Sequence, residues 1–242
     1  MNWITGATLI RTVDEVLPDG EADRLRNAVE RATEPERLDG ASSYHTTFWY
    51  AKESAPGNAV EKVIDAALRP LVPASVEAGL AGTEWWLGRL APPYSANFAF
   101  GAHHDVGRNP ATGEFENPLL SSVFYLTSVD DGALTVFTGE PDLAAPDREF
   151  VFPRANMFAM FPGTRWHAVA SREDVLGKDA PHPPGGADGG LRLTVTVNWW
   201  HFRPESHAAG PMRQIAGDYT GEIYPELREE PVSAGPGPAR PS

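Results

Sequence analysis

The sequence predicts a mainly β fold, an antiparallel sandwich or barrel with helices packed outside it or at one end. Eight short β-rich runs follow one another between residues 83 and 202, and Gly, Pro, Asp or Asn separates most of them. Strands at such short intervals do not alternate with helical segments as a parallel βαβ fold requires.

The elements are read in chain order. Leu17-Pro18-Asp19-Gly20 is a turn, and Glu21 to Thr33 sets Ala22, Leu25, Ala28 and Val29 on one face at helical spacing. Ser43 to Ala51 is rich in aromatic and β-branched residues and reads as a strand or ordered loop. A second amphipathic helix runs from Asn58 to about Leu71, with Val60, Val63, Ile64, Ala67 and Leu68 on its stripe and Pro70 and Pro73 at its end. The β-rich runs are 83–90, 95–105, 121–128, 133–137, 149–153, 157–161, 166–170 and 191–202. Residues 108–117 are polar and turn-rich and read as a loop. Residues 171–190 contain PHPPGGADGG and read as a second, irregular loop of the length that lids have. The division expected is one domain over 1–230, with a helical part at 1–80, a β core at 83–202 and a disordered tail at 231–242.

Composition narrows the chemistry. The chain has 242 residues, enough to bury a core without disulfide or metal staples. It has no cysteine, so thiolate zinc sites, iron–sulfur clusters and a Cys nucleophile are excluded, and any metal must be held by imidazole and carboxylate. Thirty-three acidic against 20 basic side chains give a formal charge of −13, which repels phosphate backbones and anionic lipid. Nucleic acid and membranes are therefore not the expected partners. The opening residues lack the basic and apolar segments of a secretory signal, so a cytoplasmic location is expected.

His103 and Asp105 are two residues apart in a strand, so they share a face while His104 points away. One imidazole and one carboxylate on one face are two of the three ligands of a facial triad, a site that leaves positions open on Fe(II). Later, Phe161-Pro162-Gly163-Thr164-Arg165-Trp166-His167 turns a histidine into an apolar strand start, where a bare imidazole is costly to bury. Alone, each motif has a plainer reading: a surface pair, or a core histidine bonded to a carbonyl. Arg192 and Thr194 open RLTVTVNWW on one face, and a guanidinium beside a hydroxyl grips a carboxylate well.

Taken in order, His103-x-Asp105, the distal His167 and Arg192-x-Thr194 resemble the Fe(II)/2-oxoglutarate-dependent dioxygenase superfamily. Gly132-Ala133-Leu134-Thr135-Val136-Phe137 is similar to the family's Gly-rich segment between the metal-binding strands. The resemblance spans roughly residues 84–202. It implies a double-stranded β-helix, a jelly-roll or cupin-like fold with supporting N-terminal helices. It also implies Fe(II) on His103, Asp105 and His167, and 2-oxoglutarate as co-substrate with its distal carboxylate on Arg192 and Thr194. Asn97 or Tyr125 is a further candidate for bonding 2-oxoglutarate; Tyr94 and Arg89 are weaker pocket candidates. One member of each pair Trp85/Trp86 and Trp199/Trp200 is a candidate for lining the cavity. The implied reaction uses O2 to hydroxylate or otherwise oxidise an unactivated C–H of a small molecule, with release of succinate and CO2. Family halogenases carry a small residue where Asp105 stands, so the carboxylate favours hydroxylation. Arg192 follows His167 by 25 residues, further than is usual in the family. An inserted Gly/Pro-rich loop accounts for the gap; otherwise Arg165 or Arg172 becomes the rival anchor. The alternatives are a cupin-like metalloprotein with 2-oxoglutarate-independent chemistry and a non-catalytic ligand-binding jelly roll. Neither the substrate nor the oligomeric state can be read from the sequence.

Overall fold

The structure is a computed structural model, which describes residues 8–34, 46–92, 94, 100–141, 147–179, 190–205 and 214–228. Asn97, His182 and the tail at 231–242 lie outside the described residues, as does the part of the 171–190 loop at 180–189.

The elements in order are β1 (Arg11–Val13), α1 (Asp19–Ala32), β2 (Thr46–Ala51), α2 (Ala59–Val63), α3 (Ala74–Gly79), β3 (Gly82–Leu90), β4 (Phe100–His103), β5 (Gly107–Arg108), β6 (Phe115–Glu116), β7 (Leu120–Tyr125), β8 (Ala133–Phe137), β9 (Arg148–Val151), β10 (Met157–Pro162), β11 (His167–Ala170), α4 (Arg172–Leu176), β12 (Arg192–Trp200) and β13 (Gln214–Asp218). Strands β1-β10-β7-β12-β3-β2-β13 form one sheet in that order, and β4-β11-β8-β9 form a second. Eight strands, β3, β4 and β7 to β12, fill the four central positions of the large sheet and the whole small one. Every pairing among them is antiparallel. The chain passes between the sheets so that β4 lies beside β11 and β7 beside β12. That is the double Greek-key arrangement of a jelly roll, the double-stranded β-helix expected from the sequence.

Helices cover the outer face of the large sheet. Leu25 and Val29 of α1, Val60 of α2, and Ile64 and Leu68 beyond it pack on Trp85, Leu87, Phe124, Phe158, Val195, Val197 and Trp199. The inner face of that sheet meets the small one through Val123, Tyr125, Leu134, Val136, Met157, Ala159 and Phe161. Strand β12 is thus buried on both faces, where a continuous apolar run is the usual composition. Instead its inner positions are Arg192, Thr194, Thr196 and Asn198. A polar face inside a doubly buried strand must have something polar to meet.

Three sequence expectations are corrected. Residues 108–117 are not plain loop: β5 and β6 pair as a short hairpin, with Gly113 at φ +75° helping the chain turn back. The 171–190 stretch is not irregular throughout. Ser171 and Asp174 bond each other's backbone N–H as a capping box and start α4, which ends at Gly177 with φ +88°. The helix begun at Asn58 is not uniformly α: Ala59–Val63 is followed by a π turn over Ile64–Leu68 and a 3-10 turn over Arg69–Leu71. No described helix is long and apolar enough to cross a membrane.

A cluster of charges ties α3 to the helix before it. Arg69 donates to both oxygens of Glu77 and to Asp65, and Lys52 adds an ion pair to Glu77. Hydrogen bonding from Arg69 holds the Glu77 carboxyl below its ordinary value. A lowered carboxyl pKa stabilises the fold above the unfolded value, and the contribution fades as pH falls through the folded one. Glu77→Gln should therefore lower Tm at pH 7 by about 2–4 °C, the scale of about 1 kcal/mol for a partly exposed pair. Thermal melts from pH 7 down to pH 3 should show the wild type and variant converging on the acid side.

Candidate metal and co-substrate site

His103 ends β4 and His167 begins β11, and the two are direct partners across the pair. Asp105 lies two residues past His103 and is 3% exposed. The arrangement brings His103 Nε2 to 3.7 Å from one Asp105 oxygen and His167 Nε2 to 3.5 Å from the other. One ligand atom from each of the three lies within 4.8 Å of the others, the only such group among the described residues. The imidazole centroids are 4.3 Å apart.

Each ring is oriented by its other nitrogen. His103 Nδ1 faces the Gly101 carbonyl at 2.8 Å, and His167 Nδ1 faces the Arg165 carbonyl at 3.2 Å. Those contacts place the Nδ1 proton on the carbonyl side and leave each Nε2 lone pair directed at the shared gap. Asn117 donates from Nδ2 to the Asp105 carbonyl at 2.8 Å, which fixes the backbone that carries the carboxylate. The expected strand stops at His103, so His104 and Asp105 lie just past it; the His104 ring lies 4.0 Å from that of Trp166. Burial lowers its pKa.

The three side chains open onto a cavity that Arg192 also lines, together with Trp86, Ser121, Val123, Leu134, Phe161 and Thr196. Arg192 is 3% exposed and its guanidinium sits 5.2 Å over the Tyr125 ring. Its Nε has no hydrogen-bond partner, nor does the Oγ1 of fully buried Thr194, and among the described residues no carboxylate pairs with it. A buried cation without an anion costs several kcal/mol, about what a carboxylate ligand would relieve. Gly132 makes the room for this arm. It sits at φ +63°, and a Cβ there would come within 3.2 Å of Arg192 Cδ and 3.1 Å of the Tyr94 ring.

The other candidates separate clearly. Tyr125 is brought to the Arg192 and Thr194 cluster, facing Thr194 in the neighbouring strand. The Tyr94 hydroxyl donates to the Gly190 carbonyl and is committed to structure. Arg89 is corrected: it sits opposite Leu193, on the helix side of the sheet, and donates to the Glu30 carbonyl of α1. Neither rival arginine is among the residues lining the cavity. Arg165 donates to the Thr138 carbonyl, and Arg172 lies over Phe152. Of the tryptophan pairs, Trp86 lines the cavity, Trp85 and Trp199 belong to the helix-facing core, and Trp200 packs with Trp49 and Phe202. His201 is paired with Glu116. Sequence reasoning missed Ser121 and Thr196. The alternation in RLTVTVNWW points to Thr196, whereas Ser121 needs the register of β7 against β12, which no local pattern supplies.

No protein-family model matches the sequence, and no curated protein matches it. Among solved structures, the chain is similar to a prolyl-4-hydroxylase from Pseudomonas putida, at 20% identity over 81% of this chain and 89% of that one, with a TM-score of 0.46. It is also similar to HygX from Streptomyces hygroscopicus with nickel and 2-oxoglutarate bound, at 14% identity over 88% and 91%, with a TM-score of 0.48. A third is SnoK, a non-heme alpha ketoglutarate dependent carbocyclase from nogalamycin biosynthesis, at 11% identity over 85% and 91%, with a TM-score of 0.45.

Proposed function

We propose that the chain is a non-haem Fe(II)/2-oxoglutarate-dependent oxygenase that hydroxylates, or otherwise oxidises, an unactivated C–H of a small molecule and releases succinate and CO2. One observation carries the reading: two imidazoles and a carboxylate converge on a metal-sized gap in the same cavity as a buried arginine that pairs with no carboxylate among the described residues.

The residues fit both groups. Two neutral nitrogens and one carboxylate oxygen suit Fe(II), and confined to one side of an ion they leave positions for other ligands. Thr194 Oγ1 and Arg192 Nε are the donors that a distal carboxylate would satisfy, with the guanidinium 5.2 Å over the Tyr125 ring. Bound iron with 2-oxoglutarate supplies the oxidising chemistry, taking its electrons from O2-dependent decarboxylation of the co-substrate. This chain's own residues do the rest. His103, Asp105 and His167 would hold the ion, and Arg192 and Thr194 would orient the co-substrate. Val123, Leu134, Phe161 and Trp86 line the cavity with apolar surface that limits water around the reacting groups. Residues 1–230 are proposed as one oxygenase domain, and Asn97 remains a proposed contact to 2-oxoglutarate.

The test is production of succinate from 2-oxoglutarate by the purified protein with Fe(II) and O2, with and without a small-molecule library. Stimulated succinate release in proportion to an oxidised product supports the reading. Metal binding without any 2-oxoglutarate consumption would favour a cupin-like metalloprotein instead.

Gly132 gives an independent check. Gly132→Ala adds a Cβ against Arg192 and Tyr94 in a left-handed backbone conformation that costs about 1–3 kcal/mol for a non-glycine residue. The expected result is a lower melting temperature together with a several-fold higher requirement for 2-oxoglutarate, read from initial rates. Iron affinity in the same preparation should change little.

A further inference from the structure

A row of polar side chains crosses the inner face of the large sheet. Asn198 on β12 lies directly opposite Ser121 on β7 and directly opposite Glu84 on β3. Strand alternation puts Asn198 on the same face as Thr196, and Glu84 on the same face as Trp86, both of which line the cavity. Ser121 lines that cavity itself, alongside His103, Asp105 and His167. All three row residues are buried to 1% exposure or less.

Burial of this kind normally comes with hydrogen bonds, and for Asn198 and Ser121 it does not. Neither Oδ1 nor Nδ2 of Asn198 has a partner, and neither does Ser121 Oγ. The neighbouring Ser122 shows the contrast: facing the helices, its hydroxyl donates to the Val197 carbonyl and accepts from Trp199 Nε1. Other buried polar atoms are bare as well, but Asn198 and Ser121 are direct cross-strand neighbours on the face that carries the cavity. Such local conflicts concentrate where stability is given up for function.

We infer that Asn198 and Ser121, with Glu84 beside them, form the polar anchor for the substrate, and that the substrate is a hydroxyl-bearing small molecule. The inference rests on the oxygenase reading of the cavity. The chemistry selects the class. A carboxamide and a serine hydroxyl each donate and accept, so they complement a group that does both. A hydroxyl does both through a single oxygen, which fits the space between two directly opposed side chains. Trp86 offers a flat apolar wall suited to the C–H face of a polyol ring. Arg192 and Thr194 occupy earlier inner-face positions along β12 than Asn198, so the two anchors do not compete.

The experiment uses the full-length protein and its Asn198→Leu and Ser121→Ala variants. Glycerol, myo-inositol and D-glucose are titrated against tryptophan fluorescence, and N-acetylglycinamide serves as the amide probe. Melting temperatures are measured in plain buffer. At least one polyol should bind the wild type saturably, and each variant should weaken it at least tenfold. Asn198→Leu should melt at or above the wild-type temperature, because it removes bare buried polar atoms. The assignment is overturned if no polyol saturates, if both variants bind within twofold of the wild type, or if the amide probe binds in place of the polyols. Fe(II) binding by the wild type, measured separately, decides the underlying reading. Iron bound with no polyol bound removes the anchor alone, and no iron bound removes the oxygenase.

Discussion

Asp105→Ala is expected to abolish 2-oxoglutarate turnover and to weaken Fe(II) binding on the order of a hundredfold or more. The expectation starts from burial. Asp105 is 3% exposed, and the side chains within reach of its two oxygens include His103 and His167. Metal affinity commonly falls 10–100-fold when a residue that merely orients a ligand is lost, so loss of a ligand itself should exceed that range. The free protein should tolerate the change. Truncation removes the cost of burying a charge together with the contacts of that charge, so the two effects on stability oppose each other. Calorimetric titration with Fe(II) under nitrogen, alongside a thermal melt, separates these effects. Near-wild-type iron affinity in a folded variant would remove Asp105 from the ligand set.

Arg192→Ala should raise the 2-oxoglutarate concentration needed for half-maximal turnover by between about thirty-fold and a few thousand-fold. That range is the consequence of about 2–5 kcal/mol for truncating one partner of a buried charge pair. The requirement for oxidisable substrate should move far less, since Arg192 sits at the Tyr125 end of β12. Arg192→Lys should recover only part of the loss, because an ammonium cannot bond a carboxylate through two parallel N–H groups. The stability of the ligand-free protein gives a second readout. Truncation deletes a buried charge that pairs with no carboxylate among the described residues, so its melting temperature should fall less than for truncation of an equally buried apolar side chain. Initial rates at varied 2-oxoglutarate and varied substrate decide it: equal effects on both would take Arg192 out of the co-substrate site.

Much of this was legible because β geometry maps sequence directly onto faces. The two-residue spacing marks His103 and Asp105 as a pair, although β4 ends at His103 and Asp105 lies just beyond the strand, and RLTVTVNWW announces a strand with one apolar and one polar face. The polar face gains its meaning from the helices that cover the other side, with Arg192, Thr194 and Asn198 buried and Thr196 half-buried. The pairing of His103 with His167 depends on β4 and β11 lying side by side, a contact between segments 64 residues apart that no local pattern encodes. The same holds for Asn117, whose bond to the Asp105 carbonyl needs the β5–β6 hairpin to fold back. Helix α4 was a different case. Its capping box, Ser171 and Asp174, is a short local signal, and the sequence reading of 171–190 rests on the Gly and Pro content downstream instead. The π turn over Ile64–Leu68 has no sequence signature, since its residues fit an α-helical stripe equally well.

The most direct measurement is titration of metal-stripped protein with Fe(II) under nitrogen, followed by 2-oxoglutarate, for the wild type and for His167→Ala. The account predicts one iron per wild-type chain, 2-oxoglutarate binding that depends on that iron, and loss of both in the variant. A wild-type protein that takes up no stoichiometric iron, or a His167→Ala protein that binds it as tightly, would contradict it.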